Sequence, residues 1–140
     1  MVQIRAYQKT DYSAVKVILE EAKLFDEIWD SEANLLGMMD IDRESILVAI
    51  DDKTVLGNIY IVPFGDRVAF LFRLAVKKEY RNQGIASELI RKVEELLKKK
   101  GFIEVGLYVN SAHKDLHAFY QIRNFKASQK SLIYNWKRLV

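Results

Sequence analysis

The run Leu74-Ala75-Val76-Lys77-Lys78-Glu79-Tyr80-Arg81-Asn82-Gln83-Gly84-Ile85-Ala86-Ser87 leads from an apolar strand through a basic loop into the first turn of an amphipathic helix. This is chemistry for holding a phosphate. The first backbone N–H groups of a helix have no partner within it, and the aligned peptide dipoles leave about half a positive charge at that end. Gly84 and Ala86 are small enough for a ligand to approach the backbone, and Arg81 adds a fixed charge with a planar fork of donors.

A second chemical feature is a change of charge. Leu24 to Asp42 contains Asp26, Glu27, Asp30, Glu32, Asp40 and Asp42 and neither lysine nor arginine, with Phe25, Trp29, Met38 and Met39 interspersed. An acidic, partly apolar lip that receives a cationic amine is one reading; a solvated helix face with its apolar side in the core is the other. Phe25, Asp26, Glu27, Trp29 and Asp30 are the candidate amine-binding residues. His113 and His117 with Asp115 lack a further histidine or cysteine, and no metal site is expected. No serine sits in a nucleophile-elbow sequence, and a lone glycine in Arg81 to Ala86 does not make a dinucleotide turn.

The elements that must position these residues follow from periodicity and turn chemistry. Strands are expected at Val2 to Arg5, Ser45 to Ile50, Val55 to Val62, Val68 to Val76, Ile103 to Val109 and Leu132 to Trp136. Asp51-Asp52-Lys53-Thr54 suits a hairpin turn between the second and third. Helices are expected at Tyr12 to Phe25, behind Thr10 or Asp11 as a cap, at Asp30 to Met39, at Gly84 to Lys100 and at His113 to Arg123. In the third, Ile85, Leu89, Val93, Leu96 and Leu97 share one face, and Gly101 follows the last turn. Helices alternating with strands indicate an α/β layer structure.

With 140 residues, half of them hydrophobic, the chain has room for one domain with its own core. No run of about 18 uncharged apolar residues occurs, and Met1-Val2-Gln3-Ile4-Arg5 does not open a signal sequence, so a cytoplasmic location without membrane attachment is expected. The absence of cysteine removes disulfides, thiolate metal sites and cysteine nucleophiles together. A net charge of +3 is mild, and Lys98-Lys99-Lys100 at a helix C-terminus is what the helix dipole favours, so nucleic-acid binding is not expected.

The Leu74 to Ser87 run resembles the acetyl-CoA motif of the GNAT superfamily of N-acetyltransferases. A second block agrees in order and spacing: Val109-Asn110, then Leu116-His117-Ala118-Phe119-Tyr120, then Phe125. The resemblance implies a mixed, mostly antiparallel twisted sheet of about six to seven strands flanked by about four helices, over residues 1–140. It implies acetyl-CoA as cofactor, with the backbone of Leu74, Ala75 and Val76 pairing with the pantetheine arm as an added strand would. Arg81, Asn82, Gln83, Gly84, Ile85, Ala86 and Ser87 would hold the pyrophosphate, Ile85 and Leu89 turning their side chains to the core. Asn110 and His113 would lie near the cofactor arm. Lys78 stands where relatives commonly have proline, Asn82 where they open with glycine, His113 where they often have asparagine, and Asn124 where they have glycine.

The chemistry implied is direct attack of a primary amine, of a small molecule or a protein, on the acetyl thioester. Tyr120 matches the family tyrosine that protonates the departing thiolate; without the resemblance it reads as a core aromatic beside Leu116 and Phe119. An amine with pKa near 10.4 costs about 4.6 kcal/mol to deprotonate at pH 7, so a base or a water path is required. Ala69-Phe70-Leu71-Phe72-Arg73, where many relatives place a glutamate, has no carboxylate. A catalytically inert CoA-binding module on the same fold is therefore the alternative. A homodimer through edge strands is compatible with the sequence but not required by it.

Overall fold

In the computed structural model, residues 1–110, 112–128 and 134–140 are described. The first compact unit, residues 1–108, is built on a five-stranded sheet in sequential order. Its strands are β1 (Val2–Ala6), β2 (Ile46–Asp51), β3 (Thr54–Phe64), β4 (Val68–Val76) and β5 (Glu104–Leu107). The first four pair antiparallel; β5 joins β4 in parallel after the crossover helix α3 (Ile85–Lys99). Five strands among the described residues is fewer than the six to seven expected. Of the expected strand at Leu132 to Trp136, residues 132 and 133 lie outside the described residues, and 134–136 are in neither helix nor strand.

The sheet is covered on both faces, which is why β2 reads as an unbroken apolar run. Ile46 and Val48 join a cluster with Val15, Ile18 and Leu19 of α1 (Tyr12–Glu21) and Leu35 of α2 (Glu32–Ile41). Leu47 and Ala49, on the opposite face by strand alternation, are equally buried. Helix α3 packs on strands β1 to β4 with Ile85, Leu89, Ile90, Val93 and Leu97 buried, each contributing about 1.5–3 kcal/mol. The side chains of Ile85 and Leu89 face the core, as expected.

Element ends show where local chemistry departs from periodicity. Helix α1 stops at Glu21 rather than Phe25 because Lys23 turns left-handed (φ 59°) and Leu24 N–H returns to the Leu19 carbonyl at 2.9 Å. Asp11 does not cap α1 through its side chain. Its carboxylate instead takes the Gln8 N–H at 2.8 Å and the Arg5 guanidinium at 2.7 and 3.0 Å. Helix α2 begins at Glu32, not Asp30, with the Ser31 hydroxyl accepting from Asn34 N–H at 3.1 Å.

The second unit, residues 109–140, contains α4 (Lys114–Ile122). Asn124 follows it with φ 69°, a left-handed position that asparagine tolerates. No helix among the described residues is long and apolar enough to cross a membrane.

Candidate functional site

The apolar strand and the helix that follows it meet the requirements of an anion and amide-binding site in different ways. On its β5 side, β4 is paired only from Val68 to Leu71, and no strand among the described residues continues beside residues 72–76. On its β3 side, Lys77 N–H donates to Leu56 O at 2.7 Å, and Ala75 O faces Gly57, at 2.9 Å from where a Cβ on that glycine would stand. Because successive residues of a strand direct their peptide groups to opposite edges, Leu74 and Val76 turn their N–H and C=O groups away from β3. The Val76 carbonyl is indeed taken on that side, by Arg81 Nε at 3.0 Å.

A bulge sets this parity. Tyr60 opposes Phe72 and Asn58 opposes Ala75, so Arg73 and Leu74 together face Ile59. Arg73 adopts φ 57°, and its carbonyl accepts from Asn58 Nδ2 at 2.8 Å, Asn58 being fully buried. Without the extra residue Asn58 would oppose Leu74, and Arg73 and Ala75 would present their peptide groups to the edge instead.

The loop after β4 makes one short helical turn (Lys78–Tyr80) and reaches α3 through two left-handed residues, Asn82 (φ 63°) and Gly84 (φ 84°). Arg81, Asn82, Gln83 and Gly84 are exposed. A Cβ built on Gly84 meets no atom within 4 Å, so the glycine opens on free space beside the helix start. The first helical bond of α3 is Glu88 N–H to Gly84 O at 3.0 Å, which leaves the Ile85 and Ala86 N–H groups ahead of the helical ladder. Outward strand amides and carbonyls, a left-handed glycine at a helix start and a nearby guanidinium together fit an extended amide-bearing ligand that ends in a phosphate.

The acidic segment divides. Asp26 accepts the N–H groups of Ile28 and Trp29 at 2.8 and 2.9 Å; Glu27 is exposed; Phe25 is half-buried with Lys16 Nζ 5.3 Å from its ring. Asp30 is fully buried. Its carboxylate receives Tyr60 Oη at 2.8 Å, Arg73 Nε at 3.1 Å and Nη2 at 3.1 Å, and Asp26 N–H at 2.8 Å. Burial and the adjoining carboxylate push the Tyr60 phenol far above its usual range, so it stays a donor to Asp30. Trp29 lies over the Arg73 guanidinium at 5.3 Å and edge-on to Phe72 at 6.2 Å. The sequence offers no sign of this cluster, whose partners stand 30 and 43 residues from Asp30.

In the second unit, Asn110 Oδ1 accepts Ala112 N–H at 2.9 Å, and His113 caps α4 through its backbone, its carbonyl accepting from Leu116 and His117. Tyr120 is packed edge-on between Phe119 and Phe125, at 5.1 and 5.4 Å. Burial raises its phenol above the ordinary value, opposed by the charge of Arg123.

Known proteins share this fold. A model of the acetyltransferase (GNAT) family matches residues 4–125. Human N-acetyltransferase 8B is 33% identical over 98 residues, covering 66% of this chain and 43% of that protein. Spermidine N(1)-acetyltransferase of Thermoplasma acidophilum is 36% identical over 104 residues, 74% of this chain and 60% of its own. The chain thus spans about half the length of these curated relatives. Among solved structures, the PaiA N-acetyltransferase of T. acidophilum in complex with coenzyme A superposes with a TM-score of 0.82 at 25% identity, covering 94% of this chain and 93% of that one. Ard1 from Thermoplasma volcanium has the same fold, with a TM-score of 0.82 at 21% identity, covering 91% and 84%.

Proposed function

The chain belongs to the GNAT family of acetyltransferases, and from that premise we propose that it transfers the acetyl group of acetyl-CoA to a primary amine without an acyl-enzyme intermediate. The observation that carries this reading is the β4 edge, where the bulge at Arg73 turns the peptide groups of Leu74 and Val76 outward, followed in sequence by the left-handed Gly84 at the start of α3. Acetyl-CoA, when bound, supplies an acetyl thioester. Leu74 and Val76 would bind its amides through their backbone, with Ala75 holding the strand on β3. The backbone of residues 82–87 would take the pyrophosphate, and Arg81 would exchange the Val76 carbonyl for a phosphate oxygen. Asn110 and His113 belong to the cofactor side in this reading.

Tyr120 is the proton donor to the departing sulfur; a tyrosine phenol already carries its proton at neutral pH, and burial raises its pKa further. On the acceptor side, Phe25, Asp26, Glu27 and Trp29 form the lip for a cationic amine, while Asp30 acts only through Arg73. The similarity to a spermidine acetyltransferase puts polyamines first among the acceptors to test. We place the protein in the cytoplasm, in keeping with a chain that has no cysteine.

The second reading, an inert CoA-binding module, draws on the lack of a carboxylate in residues 69–73. A thermal-shift titration with acetyl-CoA, followed by an amine panel scored by thiol release, decides between them. Ligand at a hundred times its Kd stabilises by about 2.7 kcal/mol. Stabilisation with thiol release supports the transferase, stabilisation without release on any amine supports the module, and no stabilisation at saturating acetyl-CoA refutes both.

A further inference from the structure

We propose that Asp30 and Arg73 form a clamp that fixes the register of β4, so that a residue from the α1–α2 connection controls how tightly the strand edge binds coenzyme A. The inference rests on the functional reading above and concerns residues that the reaction itself does not use.

Arginine is an unusual occupant of a left-handed position inside a strand, where the Cβ crowds the backbone and glycine would be relaxed. Arg73 nevertheless holds φ 57°. Its guanidinium is mostly buried, its side chain 15% exposed, and it is received by a carboxylate that is fully buried. Asp30 is itself held on three further sides: Tyr60 Oη and Asp26 N–H donate to its carboxylate, and its carbonyl accepts Tyr12 Oη at 2.9 Å. Asn58 Nδ2 holds the Arg73 carbonyl from the opposite strand. The bulge is therefore pinned at its side chain by Asp30 and at its backbone by Asn58. Released from the first pin, Arg73 relaxes toward ordinary strand geometry, and the peptide groups presented by residues 73–76 exchange edges.

The test separates clamp from scaffold, because glycine at 73 keeps the bulge without needing the clamp. Coenzyme A binding is measured by calorimetry, without any amine, for the wild type, Asp30→Asn and Asp30→Asn/Arg73→Gly, with each fold checked by circular dichroism. Asp30→Asn is expected to raise the Kd about tenfold, equivalent to about 1.4 kcal/mol, and the double variant to return it to within about threefold of wild type. A merely structural ion pair gives the reverse, since a second deletion and a strand glycine compound the damage. Should Asp30→Asn fail to fold, Arg73→Lys, which keeps charge but loses the fork, is expected to raise the Kd severalfold. An unchanged Kd in Asp30→Asn, or a double variant as weak as the single, overturns the clamp. Absence of coenzyme A binding by the wild type overturns the functional reading instead.

Discussion

Gly84 offers the sharpest test of the phosphate cradle because the same chain contains its controls. Gly65, Gly84 and Gly101 have φ of 74°, 84° and 88°, and a Cβ built on any of them meets nothing within 4 Å. Alanine at each position therefore incurs the same backbone strain, about 1–2 kcal/mol, and recovers part of it from the reduced freedom of the unfolded chain, about 0.4–1 kcal/mol. The net loss of about 1 kcal/mol lowers Tm by about 3–4 °C in a chain of this length. The three variants should be alike in melting and unlike in binding. At Gly84 the methyl group enters the space through which a phosphate reaches the start of α3, and the Kd for coenzyme A, measured by calorimetry, should rise at least about tenfold. Gly65→Ala and Gly101→Ala should leave that Kd within about twofold of wild type. A Gly84→Ala protein that loses stability like the other two yet binds coenzyme A like the wild type would refute the cradle.

Three further perturbations follow from the structure. In Gly57→Ala the new Cβ stands 2.9 Å from the Ala75 carbonyl and 3.4 Å from Leu89 Cδ1, so β4 must shift; a loss of about 1–3 kcal/mol in urea unfolding is expected, with weaker coenzyme A binding. Asp11→Asn strips a nearly buried carboxylate from Arg5 and Gln8 N–H and should cost about 2 kcal/mol by the same assay, leaving the coenzyme A Kd unchanged. For Tyr120, whose phenol is raised by burial, the acid form is lost only as pH climbs through that elevated value, so the alkaline limb of kcat should lie above pH ~10. Tyr120→Phe should lower kcat by about 10²–10⁴ and abolish that limb, and unchanged turnover across the alkaline range would remove the assignment.

What the sequence made legible was local. The apolar run Val68 to Val76 and the α3 stripe fall where periodicity places them, because one face of each is simply buried. The loop between them carries Arg81, Gly84 and Ala86, on which the proposed phosphate site rests. What remained hidden depends on partners distant in the chain or on residues that break their own preferences. Nothing in Phe70-Leu71-Phe72-Arg73-Leu74 signals a bulge, since the left-handed residue is an arginine and its stabilising partners are Asn58 and Asp30. Lys23 ends α1 in the same conformation without the glycine that normally marks it. Asp30 reads as one more member of an acidic surface run, yet it is the one acid of that run that is fully buried, and only the fold brings Tyr60 and Arg73 to it.

The central claim is that the outward edge of β4 and the start of α3 hold coenzyme A, and amide chemical-shift mapping with isotope-labelled protein tests it most directly. On titration with coenzyme A, the account predicts that perturbations concentrate on Leu74, Val76 and residues 82–87, with hydrogen exchange slowed at Leu74 and Val76 as their N–H groups acquire partners. Binding that leaves those amides unperturbed, or no binding at all, would contradict it.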